Sequence, residues 1–286
     1  MSKAVEPFRF RQFEVAHDRC AMRVNTDAVL LGAWCPLPDA GVSGGASPRM
    51  LDVGTGSGVI ALMLAQRCPS AAITAIDIDE PSALQAADNF RRSPWADRLS
   101  AQHISLQDFA GNLTSPTSCS SPTSPTSPTS PTSFARWNPF HLIISNPPYF
   151  RNALRNPDPT RSQARHTDSL SFDDLCRCAS SLLVDGGTLA LVLPADAEED
   201  ILATAAAYSL YPTHLTRVHT NASQPPKRIL LVLKKQLSIV NCRTALADRS
   251  RLCRDKNYQL SIVNCQLSTI LIGSAAYRAL TQDFYL

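Results

Sequence analysis

Residues 145–150 read SNPPYF and follow the apolar run HLII at 141–144, which has the pattern of a buried strand. Two prolines at a strand end stop the hydrogen-bond ladder and stiffen the chain into a fixed, extended turn. An amino group conjugated to a planar ring or a carbonyl is a poor nucleophile, because its lone pair is delocalised. Two fixed acceptors would draw its hydrogens out of plane and turn the lone pair toward an electrophile. The Asn146 side-chain oxygen and the Pro147 backbone carbonyl can supply them, and such preorganised polar groups act where charge develops in the transition state. Tyr149 can stack on a planar substrate. The plainer alternative is a proline-rich strand end with a buried Tyr. Two further motifs weigh against it.

The first is LDVGTGSG at 51–58, with Gly54, Gly56 and Gly58 between a strand and a helix. Glycines allow a sharp turn and close approach to a ligand. The second is AIDIDE at 75–80, where Asp77 ends the next strand and can accept both hydroxyls of a ribose. The spacing is GxGxG rather than the GxGxxG of dinucleotide binding. Asp52, two residues before the first glycine, would repel a pyrophosphate and suit a cation. After the third strand, Gln107 and Asp108 can read the edge of an adenine. Ribose, adenine and a cationic amino-acid tail together describe S-adenosylmethionine, which this pattern favours over NAD.

Those motifs need a scaffold that brings strand ends together. Strand patterns at 49–53, 71–77, 99–105, 141–145, 188–194, near 213–219 and at 228–235 alternate with helical ones at 59–67, 82–92, 171–184 and around 196–208. Such alternation predicts an α/β fold with a parallel sheet covered by helices on both faces. Ligands of such sheets sit outside the carboxyl ends of the strands, where all three motifs fall. Two stretches do not read as core. Residues 114–133 are a Ser/Pro/Thr repeat with little to bury, predicting a disordered loop. QLSIVNC occurs at 236–242 and again at 259–265, so 236–267 reads as an insertion. The expected organisation is one domain over 1–286: an N-terminal segment 1–45, a core 46–235 interrupted by 114–133, the insertion 236–267 and a tail 268–286.

Composition narrows the class. The nine cysteines show no CxxC pair and no zinc-like His/Cys spacing, so reduced, mostly buried thiols and no metal are expected. The start, MSKAVEPFRFRQF, lacks an apolar core of signal-peptide length, and no later run approaches a membrane span. A cytoplasmic, membrane-free protein is expected. A net charge of +3 permits a nucleic-acid partner without arguing for one.

The glycine-rich turn, Asp77 and NPPY together resemble class I S-adenosylmethionine-dependent methyltransferases that modify planar exocyclic nitrogens. FRFRQFEVAHDRCAMRVNTDAVLLGAW (8–34), NPPYF (146–150), RSQARHTDSLSFDDL (161–175) and YRALTQDFYL (277–286) further resemble bacterial tRNA N6-adenine methyltransferases, which act on adenine 37 of a valine tRNA. The resemblance implies a Rossmann-like, seven-stranded, mostly parallel sheet, S-adenosylmethionine as cofactor, and Thr26 and Asp27 near it. It also implies a tRNA anticodon stem-loop as partner; a monomer is expected.

Arg151, Arg155, Arg161, Arg165 and His166 crowd the segment after NPPY and are candidates to hold the RNA. Arg9, Arg11, Arg19 and Arg23, interleaved with Phe8, Phe10 and Phe13, form a second candidate cluster. Gln224, Pro225, Pro226, Lys227 and Arg228 can add a rim contact. Rival functions are a glutamine N5-methyltransferase of release factors, a DNA adenine methyltransferase and a non-catalytic RNA-binding protein. The first has a sizeable helical domain before the glycine turn, and this chain lacks the length for one there.

Overall fold

A computed structural model of the chain describes residues 5–20, 22–38, 47–114, 139–147, 170–236 and 265–285. The Ser/Pro/Thr repeat after Thr114, most of both QLSIVNC copies, and Tyr149, Arg151, Arg161, Arg165 and His166 lie outside these residues.

A short antiparallel pair, β1 (Phe8–Arg9) and β2 (Glu14–Val15), precedes α1 (Thr26–Trp34). Then come β3 (Arg49–Val53), α2 (Val59–Arg67), β4 (Ala72–Asp77), α3 (Glu80–Arg92), β5 (Leu99–His103) and α4 (Leu106–Thr114). The second half adds β6 (Phe140–Ser145), α5 (Phe172–Leu182), β7 (Leu183–Pro194), α6 (Glu198–Ala206), β8 (Leu210–His219) and β9 (Arg228–Lys235). It closes with β10 (Gln266–Leu271) and α7 (Ala275–Thr281). The seven expected strands lie in the order β5-β4-β3-β6-β7-β9-β8, with β9 antiparallel to both neighbours.

One feature of the sheet departs from expectation. It has eight strands, because β10 pairs in parallel with the outer edge of β8, from Gln266↔His214 to Leu271↔His219. This strand begins at Gln266, inside the segment read as an insertion. Four of its six residues are exposed, so no alternating apolar pattern announced it. Its addition covers an edge that would otherwise present unpaired backbone groups.

The strands read as near-continuous apolar runs because both faces are covered. Residues pointing one way, such as Met50, Leu142 and Val192, pack with α1, α2 and Phe90 of α3. Their neighbours Leu51, Ile143 and Leu191 pack with α4, α5 and α6. Phe10, Phe13 and Val15 are buried in the first of these layers together with Phe284 from the far end of the chain.

Candidate active site

Three central strands finish in line. In the ladder Val53 of β3 lies opposite Ser145 of β6 and opposite Ile76 of β4. The Ser145 hydroxyl donates to the Val53 carbonyl at 2.8 Å, and Gly54 N–H donates to the Ile76 carbonyl at 2.9 Å. The next residue on each strand is therefore Asn146, Gly54 and Asp77, side by side along the carboxyl edge. Motifs 92 and 23 residues apart from Gly54 in sequence become one row.

A cavity of about 470 Å³ opens over this row, within the ~300–1,000 Å³ typical of small-molecule sites. Gly54–Ser57 form its floor, with Asp77 and Ile78 beside them. Ser105–Asp108 stand at the β5 end, and Ser145, Asn146 and Pro147 at the β6 end. Asp77 is only 9% exposed. Its Oδ2 accepts the Gly56 N–H at 2.8 Å and its Oδ1 the Asp79 N–H at 2.9 Å. Burial pushes this carboxyl up from its ordinary range, and the two backbone donors pull it back. Each oxygen keeps a lone pair, so a carboxylate fixed in this way suits a pair of ribose hydroxyls.

The neighbouring acids have other work. Asp79 caps α3, accepting from the Ser82 N–H at 3.0 Å and the Ser82 hydroxyl at 2.6 Å. Ser105 and Asp108 close the first turn of α4 reciprocally: Asp108 N–H donates to Ser105 Oγ at 3.0 Å, and Ser105 Oγ donates back to Asp108 Oδ2 at 2.7 Å. Asp108 still lines the cavity, and the Gln107 side chain bonds to Asp174.

Several expected site residues stand elsewhere. Asp52 does not reach the cavity wall: it is fully buried beneath the turn, where its Oδ2 accepts the Thr55 hydroxyl at 2.6 Å. Among the described residues its Oδ1 has no partner. Burial pushes its carboxyl up to about 7. When ionised, this carboxylate under the floor favours positive charge above it, by its field rather than by contact. Gly58 also faces away, against Phe90 of α3. Thr26 and Asp27 begin α1 without lining the cavity, and Asp27 instead pairs with Arg228, Nε to Oδ2 at 2.9 Å. The residues of that helix start which do line it are Asn25 and Ala28, because positions three apart share a face.

Sequence reasoning missed Met22, Asn25, Ile78 and Leu170 on the cavity wall and assigned Arg23 to an RNA cluster. Asn25 was discoverable as an N-cap before the apolar run AVLLGAW; its Oδ1 accepts the Ala28 N–H at 2.9 Å. Met22 and Ile78 are among the few exposed large apolar residues, both more than half exposed. The other arginines of the second basic cluster have partners within the protein. Arg9 pairs with Glu14, Arg19 with Asp88, and Arg11 donates to the Tyr285 carbonyl. Among the described residues no group of His, Cys, Asp and Glu could hold a metal, and no helix is long and apolar enough to cross a membrane.

Comparison with known proteins fits this geometry. A family model described as a methyltransferase domain matches residues 50–116. A solved structure of an O-methyltransferase from Agrobacterium tumefaciens, assigned as such by prediction, superposes with a TM-score of 0.55 at 17% identity. It covers 90% of this chain and 96% of that one, a likeness of fold. The tRNA1(Val) (adenine(37)-N6)-methyltransferase of Phocaeicola vulgatus is 39% identical over 279 residues, 98% of this chain and 97% of the relative. That of Pectobacterium carotovorum is 36% identical over 281 residues, covering 98% and 93%. With identity at this level running nearly end to end in both, the chain belongs to the tRNA1(Val) (adenine(37)-N6)-methyltransferase family.

Proposed function

We propose that this protein methylates N6 of adenine 37 in a valine tRNA, with S-adenosylmethionine as methyl donor. The observation that carries the proposal is the row Asn146–Gly54–Asp77 on one cavity edge. The donor fits the residues present: a fixed, buried acceptor for a ribose in Asp77, and Asp52 with an unpartnered buried oxygen under the floor.

S-adenosylmethionine, when bound, supplies an electrophilic methyl group on a sulfonium. The protein's own residues do the rest. Asp77 fixes the ribose, and Asp108 stands where the nucleobase edge would be read. Pro147 is buried and Asn146 half-buried, with β6 anchored by the Ser145 bond, so both acceptors start from rigid backbone. They accept the two amino hydrogens of the target adenine and aim its lone pair at the methyl group. Positive charge then develops on N6 close to two fixed dipoles, and the excess proton is shed to solvent. Tyr149 would stack on the extruded base, while Arg151, Arg161, Arg165 and His166 would take phosphates of the anticodon stem-loop. We place it in the cytoplasm as a monomer, a single domain with inserts over 114–133 and 236–265, the second ending where β10 begins.

Asn146→Ala tests the chemistry. Single-turnover transfer to unmodified valine tRNA should fall by about 100-fold or more, the scale for losing one preorganised donor or acceptor. Cofactor affinity and tRNA affinity should stay near wild type. Near-normal transfer by this variant would sink the mechanism.

A further inference from the structure

The cavity is lined by three carboxylates, Asp77, Asp79 and Asp108, and among its described lining residues Arg23 is the one cation. Among the described residues no ion pair or hydrogen bond engages the Arg23 guanidinium. Its backbone, by contrast, is held from both sides. Upstream, Asn89 of α3, only 2% exposed, clasps Ala16: Oδ1 accepts the Ala16 N–H at 3.1 Å and Nδ2 donates to the Ala16 carbonyl at 2.8 Å. The same Nδ2 donates at 2.8 Å to the carbonyl of Ser57, on the cavity floor. Gln85 Oε1, also buried, accepts from Arg19 N–H and Arg19 Nε, both at 3.2 Å. Downstream, Asn25 Nδ2 donates to the Arg23 carbonyl at 3.4 Å while Asn25 Oδ1 caps α1. A cationic head unpartnered among the described residues, on a chain tied down at Arg19 and by Asn25 and in a cavity otherwise lined with acids, calls for an anionic ligand.

Position along the cavity says which anion. The β5 end carries Gln107 and Asp108, and Asp77 of β4 lies between that end and the glycine turn. Arg23 leads into α1, which packs on α2 and on β7, toward the β6 side of the cavity. A nucleoside whose ribose is on Asp77 and whose base reaches β5 would direct its 5′ substituent toward Asn25, Arg23 and Asn146. In S-adenosylmethionine that substituent ends in a carboxylate.

We infer that Arg23 binds the α-carboxylate of the cofactor's amino-acid tail, with Asn89 as the positioning residue that ties its strand of chain to the glycine turn; the inference rests on the cofactor reading above. It predicts selectivity rather than mere affinity. S-adenosylhomocysteine carries the carboxylate, whereas 5′-methylthioadenosine has the same nucleoside and sulfur without it. Calorimetric titration of wild type and Arg23→Ala with both ligands, plus a tRNA binding measurement, separates the possibilities.

Arg23→Ala should bind S-adenosylhomocysteine about 10-fold more weakly, the lower end for a charge-assisted bond because the guanidinium is exposed. It should bind methylthioadenosine and tRNA as wild type does. Arg23→Lys should recover most of the loss, since it keeps the charge. Unchanged affinity for S-adenosylhomocysteine would overturn the assignment, and so would an equal loss for both nucleosides. Weakened tRNA binding with intact S-adenosylhomocysteine binding would make Arg23 a phosphate contact instead, overturning it too. Wild-type protein that bound neither nucleoside would overturn the cofactor reading and this assignment together.

Discussion

Asp52 and Asp77 are two carboxylates near one turn with different environments. Asp77 is bonded at both oxygens and faces the cavity, whereas Asp52 is sealed beneath it with one oxygen unpartnered among the described residues. Burial first, with Asp77 nearby adding to it and the Thr55 hydroxyl opposing, raises the Asp52 carboxyl from 3.8 to about 7. A carboxyl whose folded pKa exceeds its unfolded one holds its proton more tightly in the fold. Its stabilising contribution is complete below about pH 4 and is lost as pH rises through about 7. Asp52→Asn removes the ionisation while leaving an acceptor for Thr55. Urea unfolding at about pH 5 and about pH 8 should therefore show wild type losing stability relative to the variant at the higher pH. A constant difference between the two proteins would mean that Asp52 is not strained by its charge.

The connection of β3 to α2 is set by a contact with another element. Gly58 caps α2 at φ 81°, a left-handed backbone. A Cβ there would approach Cε1 of Phe90 to 2.5 Å, and Phe90 is itself buried in α3. Gly58→Ala should cost about 2–4 kcal/mol, from the left-handed backbone and the overpacking together. Adding Phe90→Leu should recover only the steric part. A Gly58→Ala protein within about 0.5 kcal/mol of wild type would mean that α2 and α3 can part easily, contrary to a close-packed interior. Because this turn is also the cavity floor, the same constraint keeps Gly54 and Gly56 in place under the ligand.

The two ends of the chain meet across the molecule. Arg11 N–H donates to the Phe284 carbonyl at 2.9 Å, and Phe10 stacks on Phe13 with ring centroids 4.5 Å apart. Tyr285 lies parallel to Phe10 at 6.4 Å, and Gln66 of α2 donates to the Asp283 carbonyl at 3.1 Å. Phe284 is 2% exposed in the layer that also holds α1 and α2. Phe284→Ala should destabilise the protein by about 3–5 kcal/mol, measured by urea unfolding with an unchanged slope. A loss below about 1 kcal/mol would show the terminal clasp to be peripheral to the core.

The seven central strands were readable along the chain because each is a short apolar run bounded by turn residues, a local property. Asp77 and Asn146 were readable for a related reason, since in a parallel sheet strand ends are where ligands bind. The sequence also carried the family through its full-length likeness. What it did not carry was direction and partnership. Whether Asp52 or Asp77 faces the cavity depends on strand register and on the turn above them. Whether Thr26 and Asp27 or Asn25 and Ala28 do so depends on how α1 is rotated against α2. Phe10 and Phe13 of the FRFRQF segment looked like a surface interleaved with arginines, but they became core because Phe284, more than 270 residues away, packs against the same layer. The strand at Gln266–Leu271 needed the open edge of β8 to form at all. Each of these outcomes is fixed by contacts between segments distant in the chain, and local pattern holds no record of them.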